Sequence, residues 1–417
     1  MAEPTVPAQD AAPPGPGAGP LRVLLAGGGT AGHVNPLLAT AAALAARPGG
    51  AQVTALGTAA GLEHTLVPAA GYPLRIVPRV PLPRRPSLDL LRLPTNLAAA
   101  VRAAGEAIDA TGARVVVGFG GYVATPAYLA ARRRGVPVVV HEQNARPGLA
   151  NRLGARWAAA VALTFASTPL RAARGRTEVT GLPLRAPVAA VVAEGRTPEG
   201  AAGRRAAGAA ALGLDPGRPT LLVTGGSLGA QRLNEAVPAA AAGLAAAGAQ
   251  VLHLTGRGKA DPVRAVLASA GPEAAARYHV REYLAEMELA YACADLVLCR
   301  SGAGTVAELA ALGLPAVYVP LPVGNGEQRL NAADVVAAGG GTLVADGDLD
   351  GAWVRAHVLP LLANPEALAR MGTAAAGAGP AEGAAHLAGL VAAAAGGSAA
   401  DGSAAGGTAP GTEGGQA

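Results

Sequence analysis

Lysine is almost missing from this 417-residue chain: Lys259 is the only one, so nearly all of its cationic charge is arginine. Aromatic residues amount to 3% while hydrophobic residues reach 51%, much of it alanine, so Leu, Val and Ala must fill the cores. Two cysteines, Cys293 and Cys299, are too few for a disulfide framework, and their setting in an apolar run marks them as small buried hydrophobes. No apolar run approaches the roughly 20 residues that a membrane-spanning helix needs. The opening MAEPTVPAQDAAPPGPGAGP has neither a basic start nor an apolar centre, so it is not expected to be a signal peptide. The chain is therefore expected to be soluble or to lie on a membrane surface. Few aromatics and no recognisable nucleic-acid motif argue against a nucleic-acid partner.

What is present is an uneven charge. Residues 1–185 carry a net +11 and the remainder a net −6, so the front half is suited to an anionic partner such as a phosphate or an acidic lipid surface. Short β-branched runs alternate with Ala/Leu-rich stretches. LRVLLAGGG (21–29) reads as a strand entering a glycine loop, NPLLATAAALAA as the following helix, and AQVTALG, ARVVVGFGG and PVVVHEQN repeat the strand-then-loop pattern. Strands apolar throughout, rather than alternating, indicate parallel sheets covered on both faces. The series restarts at RPTLLVTGGSLGAQRLNEAV (218–237) and continues through AQVLHLTG, DLVLCRSGAGTVAELAALG and PAVYVPL. Two such series imply two doubly wound α/β domains, 21–185 and 186–395, facing a cleft and flanked by disordered tails at 1–20 and 396–417.

In such sheets ligands bind beyond the carboxyl ends of the strands, so the loops there are the candidates for chemistry. GGGTAGHVNP (27–36) brings a glycine-rich turn to a helix start, which suits a nucleotide, a phosphate or simply a tight turn. It matches neither the dinucleotide fingerprint nor the P-loop. His33 is its distinctive member, either a helix-capping or packed histidine or a base for a sugar hydroxyl. In GFGGYVATP (118–126) and HEQNARPG (141–148), the amides of Gln143 and Asn144 suit sugar hydroxyls or cap the turn before Pro147. Glu142 is a cleft carboxylate or a strand-end ion pair. GGSLGAQ (225–231) offers Ser227 and backbone N–H groups to a phosphate, and SGAGTVAEL (301–309) offers Ala303, Gly304 and Thr305 at a helix start. Glu308 can accept both ribose hydroxyls of a nucleotide, or serve as a capping-box partner of Thr305. GNGEQRLNA (324–332) sets Gln328 and Asn331 on one helix face.

Taken together in this order, GGGTAGHVNP, GFGGYV, HEQNARPGLANRLGAR, GGSLGAQRLN, HLTG, CRSGAGTVAELAALGLPAVYVPLP and GEQRLNAA resemble the MurG family, the undecaprenyldiphospho-muramoylpentapeptide N-acetylglucosaminyltransferases. The resemblance implies a GT-B fold of two Rossmann-like domains and inverting transfer from UDP-GlcNAc without a cofactor or catalytic metal. The first domain would face the lipid-linked muramoyl-pentapeptide and an anionic membrane surface; the second would hold UDP-GlcNAc. His33 would be the base, with Glu142 a less favoured partner. The donor would meet Thr30, Gly32, Asn144, Arg185, Ser227, Leu284, Ala303, Gly304, Thr305, Glu308 and Gln328, with Leu284 on uracil and Glu308 on ribose. Gly28, Gly29, Gly120, Gly121 and Tyr122 would face the acceptor. The enzyme would sit peripherally on the cytoplasmic face of the cell membrane. The chain departs from the family pattern at GLPLR (181–185), at Leu228 in GGSLGA and at Val323.

Arg79, Arg84, Arg85 and Arg92 of RIVPRVPLPRRPSLDLLRLP (75–94) and the arginines of ARRRG (131–135) alternate with apolar residues, as a membrane contact or a solvated loop would. Another glycosyltransferase on this scaffold, a UDP-GlcNAc epimerase, and a nucleotide-sugar binder without catalysis stay open. The epimerase is disfavoured by the shortage of cleft carboxylates beyond Glu142, Glu308 and Glu327.

Overall fold

The structure, a computed structural model, describes residues 19–80, 89–226 and 229–401, with the side chains at 89–92 and 397–401 outside that description. Ser227, Leu228, Arg84 and Arg85 fall outside the described residues, as do most of the two expected tails. The second tail was expected from residue 396, but a helix Gly383–Asp401 runs on to Asp401.

Seven strands form the first sheet: β1 (Leu21–Ala26), β2 (Ala51–Gly57), β3 (Leu74–Ile76), β4 (Val115–Gly118), β5 (Val138–Glu142), β6 (Ala160–Leu163) and β7 (Arg176–Val179). Six form the second: β8 (Thr220–Thr224), β9 (Gln250–Leu254), β10 (Tyr278–Arg281), β11 (Leu296–Cys299), β12 (Ala316–Tyr318) and β13 (Gly341–Leu343). Their orders, β3-β2-β1-β4-β5-β6-β7 and β10-β9-β8-β11-β12-β13, are the same doubly wound pattern, and the pairings are parallel. The central strands β4, β5, β8, β9 and β11 are buried along their whole length, which is why they read as unbroken apolar runs. Each sheet is covered by helices on both faces, with two apolar clusters per sheet. Cys293 and Cys299 are buried free thiols in the second domain's core.

Two elements differ from the sequence reading. The helix after β1 starts at Ala31, not near Asn35, because the Thr30 carbonyl accepts from the amides of His33 and Val34. His33 is thereby lifted out of a loop and fixed on the first helical turn. The Gly383–Asp401 helix returns to the first sheet: Leu387, Ala388, Leu390, Val391 and Ala395 join the cluster of Val34, Leu37, Ala41 and Leu44. The span 186–395 thus contains a segment that packs on the first domain. The two chain crossings touch each other. A Cβ on Gly181 would lie 2.3 Å from the Pro380 carbonyl oxygen, and one on Gly383 would lie 2.5 Å from that of Leu182.

Candidate active site

In both sheets the strand order reverses beside the first strand, between β1 and β4 and between β8 and β11. The loops leaving those four strands line the crevices where such folds bind ligands. Two cavities result. A cleft of about 1070 Å³ is walled by His33, Gly120, Gly121, Tyr122 and the 142–153 segment, with Gly302, Ala303, Gly304, Asn325 and Glu327 from the second domain. A smaller one of about 340 Å³ is lined by Arg185, Gly226, Leu284, Tyr291, Thr305 and Glu308, with Ala31, Gly32 and Asn35 from the first domain. Gly32, Leu182, Gly302 and Gly304 belong to both walls, so the cavities meet beside His33.

His33 is held by its own loop. Its Nδ1 lies 3.2 Å from the Gly28 carbonyl oxygen and 3.2 Å from Thr30 Oγ1. A carbonyl only accepts, so Nδ1 carries the proton and Nε2 is the basic nitrogen. Gly120 and Gly121, both with positive φ, leave the room around the ring; a Cβ on Gly120 would stand 3.4 Å from Nε2. Burial lowers the imidazole pKa below its ordinary value, against the Gly28 hydrogen bond and the charges of Glu63 and Glu327. Glu63 gave no signal in the sequence, because its contact with Gly29 spans 34 residues. Gly28 and Gly29 were expected to face the acceptor, but Gly28 is buried over that carboxylate while Gly29 is exposed. Tyr122 is exposed at the cleft wall with Arg79 5.2 Å from its ring centre.

The HEQN segment divides its labour differently from expectation. His141 Nε2 donates to the Gly181 carbonyl at 3.2 Å, tying β5 to the domain crossing, and burial depresses its pKa to about 4. Gln143, offered either to sugar hydroxyls or as a cap of the turn before Pro147, is buried and donates its Nε2 to His141 Nδ1 at 2.9 Å while lining the cleft wall. Glu142, expected as a cleft carboxylate, accepts from the amides of Asn144 and Gly148 and from Asn151 Nδ2, all within 3.0 Å. Burial raises its pKa, against those bonds. It shapes the loop through these bonds while still lining the cleft. Asn151, another residue with no sequence signal, also accepts from the Tyr128 hydroxyl at 2.8 Å. Of the four HEQN side chains, that of Asn144 reaches the other domain, where Asn331 Nδ2 lies 3.4 Å from its Oδ1.

Across the cleft, the helix Ala303–Leu312 has Gly302 as its N-cap. This removes the capping-box reading of Thr305 with Glu308. Glu308 instead receives the Tyr291 hydroxyl at 2.8 Å and faces Arg185 Nε at 3.6 Å. Burial pushes its pKa up, and Arg185 and Tyr291 oppose that. Leu284 is buried in the same pocket wall. Gln328 Oε1 accepts from the Leu321 amide at 2.9 Å, which braces the 321–328 loop. Gly226 lines the pocket, and Gly229 is pressed against the Thr255 carbonyl, where a Cβ would come within 2.1 Å.

Models of the glycosyltransferase family 28 N-terminal and C-terminal domains match residues 23–163 and 220–387. The UDP-N-acetylglucosamine–N-acetylmuramyl-(pentapeptide) pyrophosphoryl-undecaprenol N-acetylglucosamine transferase of a Nocardioides species is 55% identical over 372 residues, 89% of this chain and 97% of that protein. The chain belongs to the MurG family. The crystal structure of Acinetobacter baumannii MurG superposes with a TM-score of 0.68 at 28% identity, covering 89% of this chain and 99% of that one. The architecture is accordingly GT-B. A Neisseria meningitidis UDP-GlcNAc 2-epimerase also superposes, with a TM-score of 0.61, 14% identity and coverage of 89% and 98%. That second likeness concerns the fold alone, so MurG membership rests on the sequence match and not on the shape.

Proposed function

We propose that this chain transfers GlcNAc from UDP-GlcNAc to the C4 hydroxyl of the muramoyl sugar of a lipid-linked muramoyl-pentapeptide diphosphate, with inversion. The observation that carries the reading is the meeting of two cavities at Gly32, Gly302 and Gly304, one walled by a carboxylate and an arginine, the other by a histidine. A nucleotide sugar in the smaller cavity has its ribose at Glu308 and its anomeric carbon at the junction. The acceptor hydroxyl enters from the larger one.

The oxygen of that hydroxyl attacks the anomeric carbon, the bond to the UDP oxygen breaks on the opposite face, and the proton goes to His33 Nε2. Charge developing on the diphosphate meets Arg185 and the free N–H groups at the start of the Ala303–Leu312 helix. The lowered pKa of His33 keeps it unprotonated at neutral pH and below, as a base requires.

The lipid reading is supported by the wall of the larger cavity, where Val80, Leu93, Leu97, Tyr122 and Leu149 gather beside Arg146 and Arg152. Leu149 is 69% exposed, an uncovered apolar residue on the first domain. No helix among the described residues is long and apolar enough to cross a membrane. Peripheral attachment at the cytoplasmic face, through this rim and the basic first domain, belongs to the same proposal. Of the expected membrane cations, Arg132 is stacked on Trp157 and Arg134 is paired with Asp109 at 2.7 Å, so they serve the protein surface first.

UDP release from UDP-GlcNAc, with the muramoyl acceptor presented in anionic vesicles, tests the proposal. Release should require the acceptor, fade as salt rises, and fall about 10²–10⁴-fold in His33→Ala with UDP binding retained. Release without acceptor, or a His33→Ala enzyme with near-normal turnover, would defeat the assignment.

A further inference from the structure

The glycine loop that carries His33 is built around a carboxylate to which the transfer mechanism assigns no task. Glu63 is fully buried, at 0% exposure, on the short helix Glu63–Ala69. Its Oε2 accepts from the Gly29 amide at 2.7 Å, and its Oε1 from the Thr58 amide and the Thr58 hydroxyl, each at 2.8 Å. Three glycines make the room: a Cβ on Gly28, Gly57 or Gly61 would fall within 2.4 Å of the Glu63 side chain. So tight a socket, formed from two segments of the β1 and β2 loops, is more than a loop needs merely to turn.

The peptide that Glu63 grips is the same one that holds the base. The Gly29 N–H points to Glu63, and the carbonyl of that peptide unit, on Gly28, accepts from His33 Nδ1. Carboxylate, peptide and imidazole are therefore in series. An anion at the N–H end polarises the peptide and strengthens its carbonyl as an acceptor. That carbonyl fixes the Nδ1-protonated tautomer and leaves Nε2 facing the cleft. We propose that Glu63 is a positioning residue for His33, acting through the Gly28–Gly29 peptide as a carboxylate acts directly on histidine in other acid–base sites. The inference rests on the reading of His33 as the base.

Other charges face the ring as well. Glu327 approaches from the second domain, and Glu142, Arg146 and Arg152 line the same cleft. Glu63 stays ionised: burial pushes its pKa up, but the Gly29 and Thr58 bonds outweigh that and hold it below the usual carboxylate value. Its charge raises the proton affinity of His33 against the effect of burial. Removing the charge therefore lowers the His33 pKa and makes a weaker base.

The test is Glu63→Gln, read by the pH profile of kcat/KM for the acceptor and by NMR titration of His33. The acid limb of the profile and the His33 titration should both move to lower pH, with the plateau falling about 10- to 100-fold, as for other outer-shell partners of a functional histidine. The KM for UDP-GlcNAc should change less than the plateau, since most of that pocket's wall belongs to the other domain. A fallen plateau with an unmoved limb and an unmoved His33 titration would reduce Glu63 to a structural residue and overturn the inference. If the His33 titration moves while the limb does not, Glu63 keeps its role and the assignment of His33 as base fails instead. The unaltered enzyme supplies an arm that does not depend on the variant folding. Above its titration, His33 must show the Nδ1-protonated tautomer, and the Nε2-protonated form would overturn the inference outright.

Discussion

Three glutamates show how surroundings, not residue type, set a role. Glu142 accepts from three donors of its own loop, Glu63 from Gly29 of the loop that carries His33 and twice from Thr58 of the β2 loop, and Glu308 has one donor, Tyr291, and an arginine at 3.6 Å. Of the three, Glu308 has the fewest donors and lines the smaller pocket. Tyr291 was invisible in the sequence because it sits 17 positions before Glu308, on a different helix. Its hydroxyl is expected to orient the carboxylate for the ribose. In Tyr291→Phe, UDP should bind about tenfold more weakly, since a hydrogen bond to a charged group contributes about 1.5–3 kcal/mol. The preference for UDP over 2′-deoxy-UDP should shrink. Losing that bond also lets the already raised Glu308 pKa rise further, so the variant's UDP binding should begin to fail at a higher pH on acidification. Calorimetry across pH checks all three, and binding identical to the parent at every pH would remove Tyr291 from the site.

At the scale of elements, the alternation of strand, glycine loop and helix was legible because both sheets bury their central strands on two faces, which writes continuous runs such as VVVG and LVLC into the chain. The loops that meet at the cleft were legible for the same reason, each following such a run. What stayed hidden was anything that depends on long-range contact: the Glu63 socket, the tying of His141 to Gly181, and the destination of the last helix. Gly383–Asp401 is rich in Ala and Gly and shades into a tail of like composition, so nothing local reveals that it caps the first sheet. Leu387 there is fully buried against helix Ala31–Ala45, the helix that carries His33. Leu387→Ala should lower the first domain's stability by about 2–5 kcal/mol. Denaturant unfolding with and without UDP will check this, because UDP shifts only the unfolding of the domain that binds it. Equal destabilisation of both transitions, or of neither, would contradict the packing.

At the scale of the whole molecule, the two domains meet through buried apolar residues, Ala145, Phe165 and Leu182 among them, and through a small set of polar contacts. Asn331, 1% exposed on the second domain, accepts from the Ala145 amide at 2.9 Å and donates to Asn144 Oδ1 at 3.4 Å and to the Ser301 carbonyl at 3.3 Å. Ser167 N–H to Asp334 at 3.1 Å, and Arg146 to the Asn325 carbonyl, flank it. This single amide joins the HEQN loop, the start of the donor helix and the 324–332 loop, three of the motifs that the sequence displayed separately. Replacing it by alanine strands the buried Ala145 N–H, at a cost of about 1–3 kcal/mol to this arrangement of the domains. An arrangement with the domains apart should gain about 5- to 150-fold in population relative to it. UDP affinity should change less, since most of that pocket's wall belongs to the second domain. If His33 is the base, as proposed, turnover should fall by about the factor that this arrangement loses. X-ray scattering of Asn331→Ala would then report a larger radius of gyration than the parent without ligand. A variant that scatters like the parent yet turns over slowly would place Asn331 on the sugar itself, and one that does neither would leave closure to the flanking contacts.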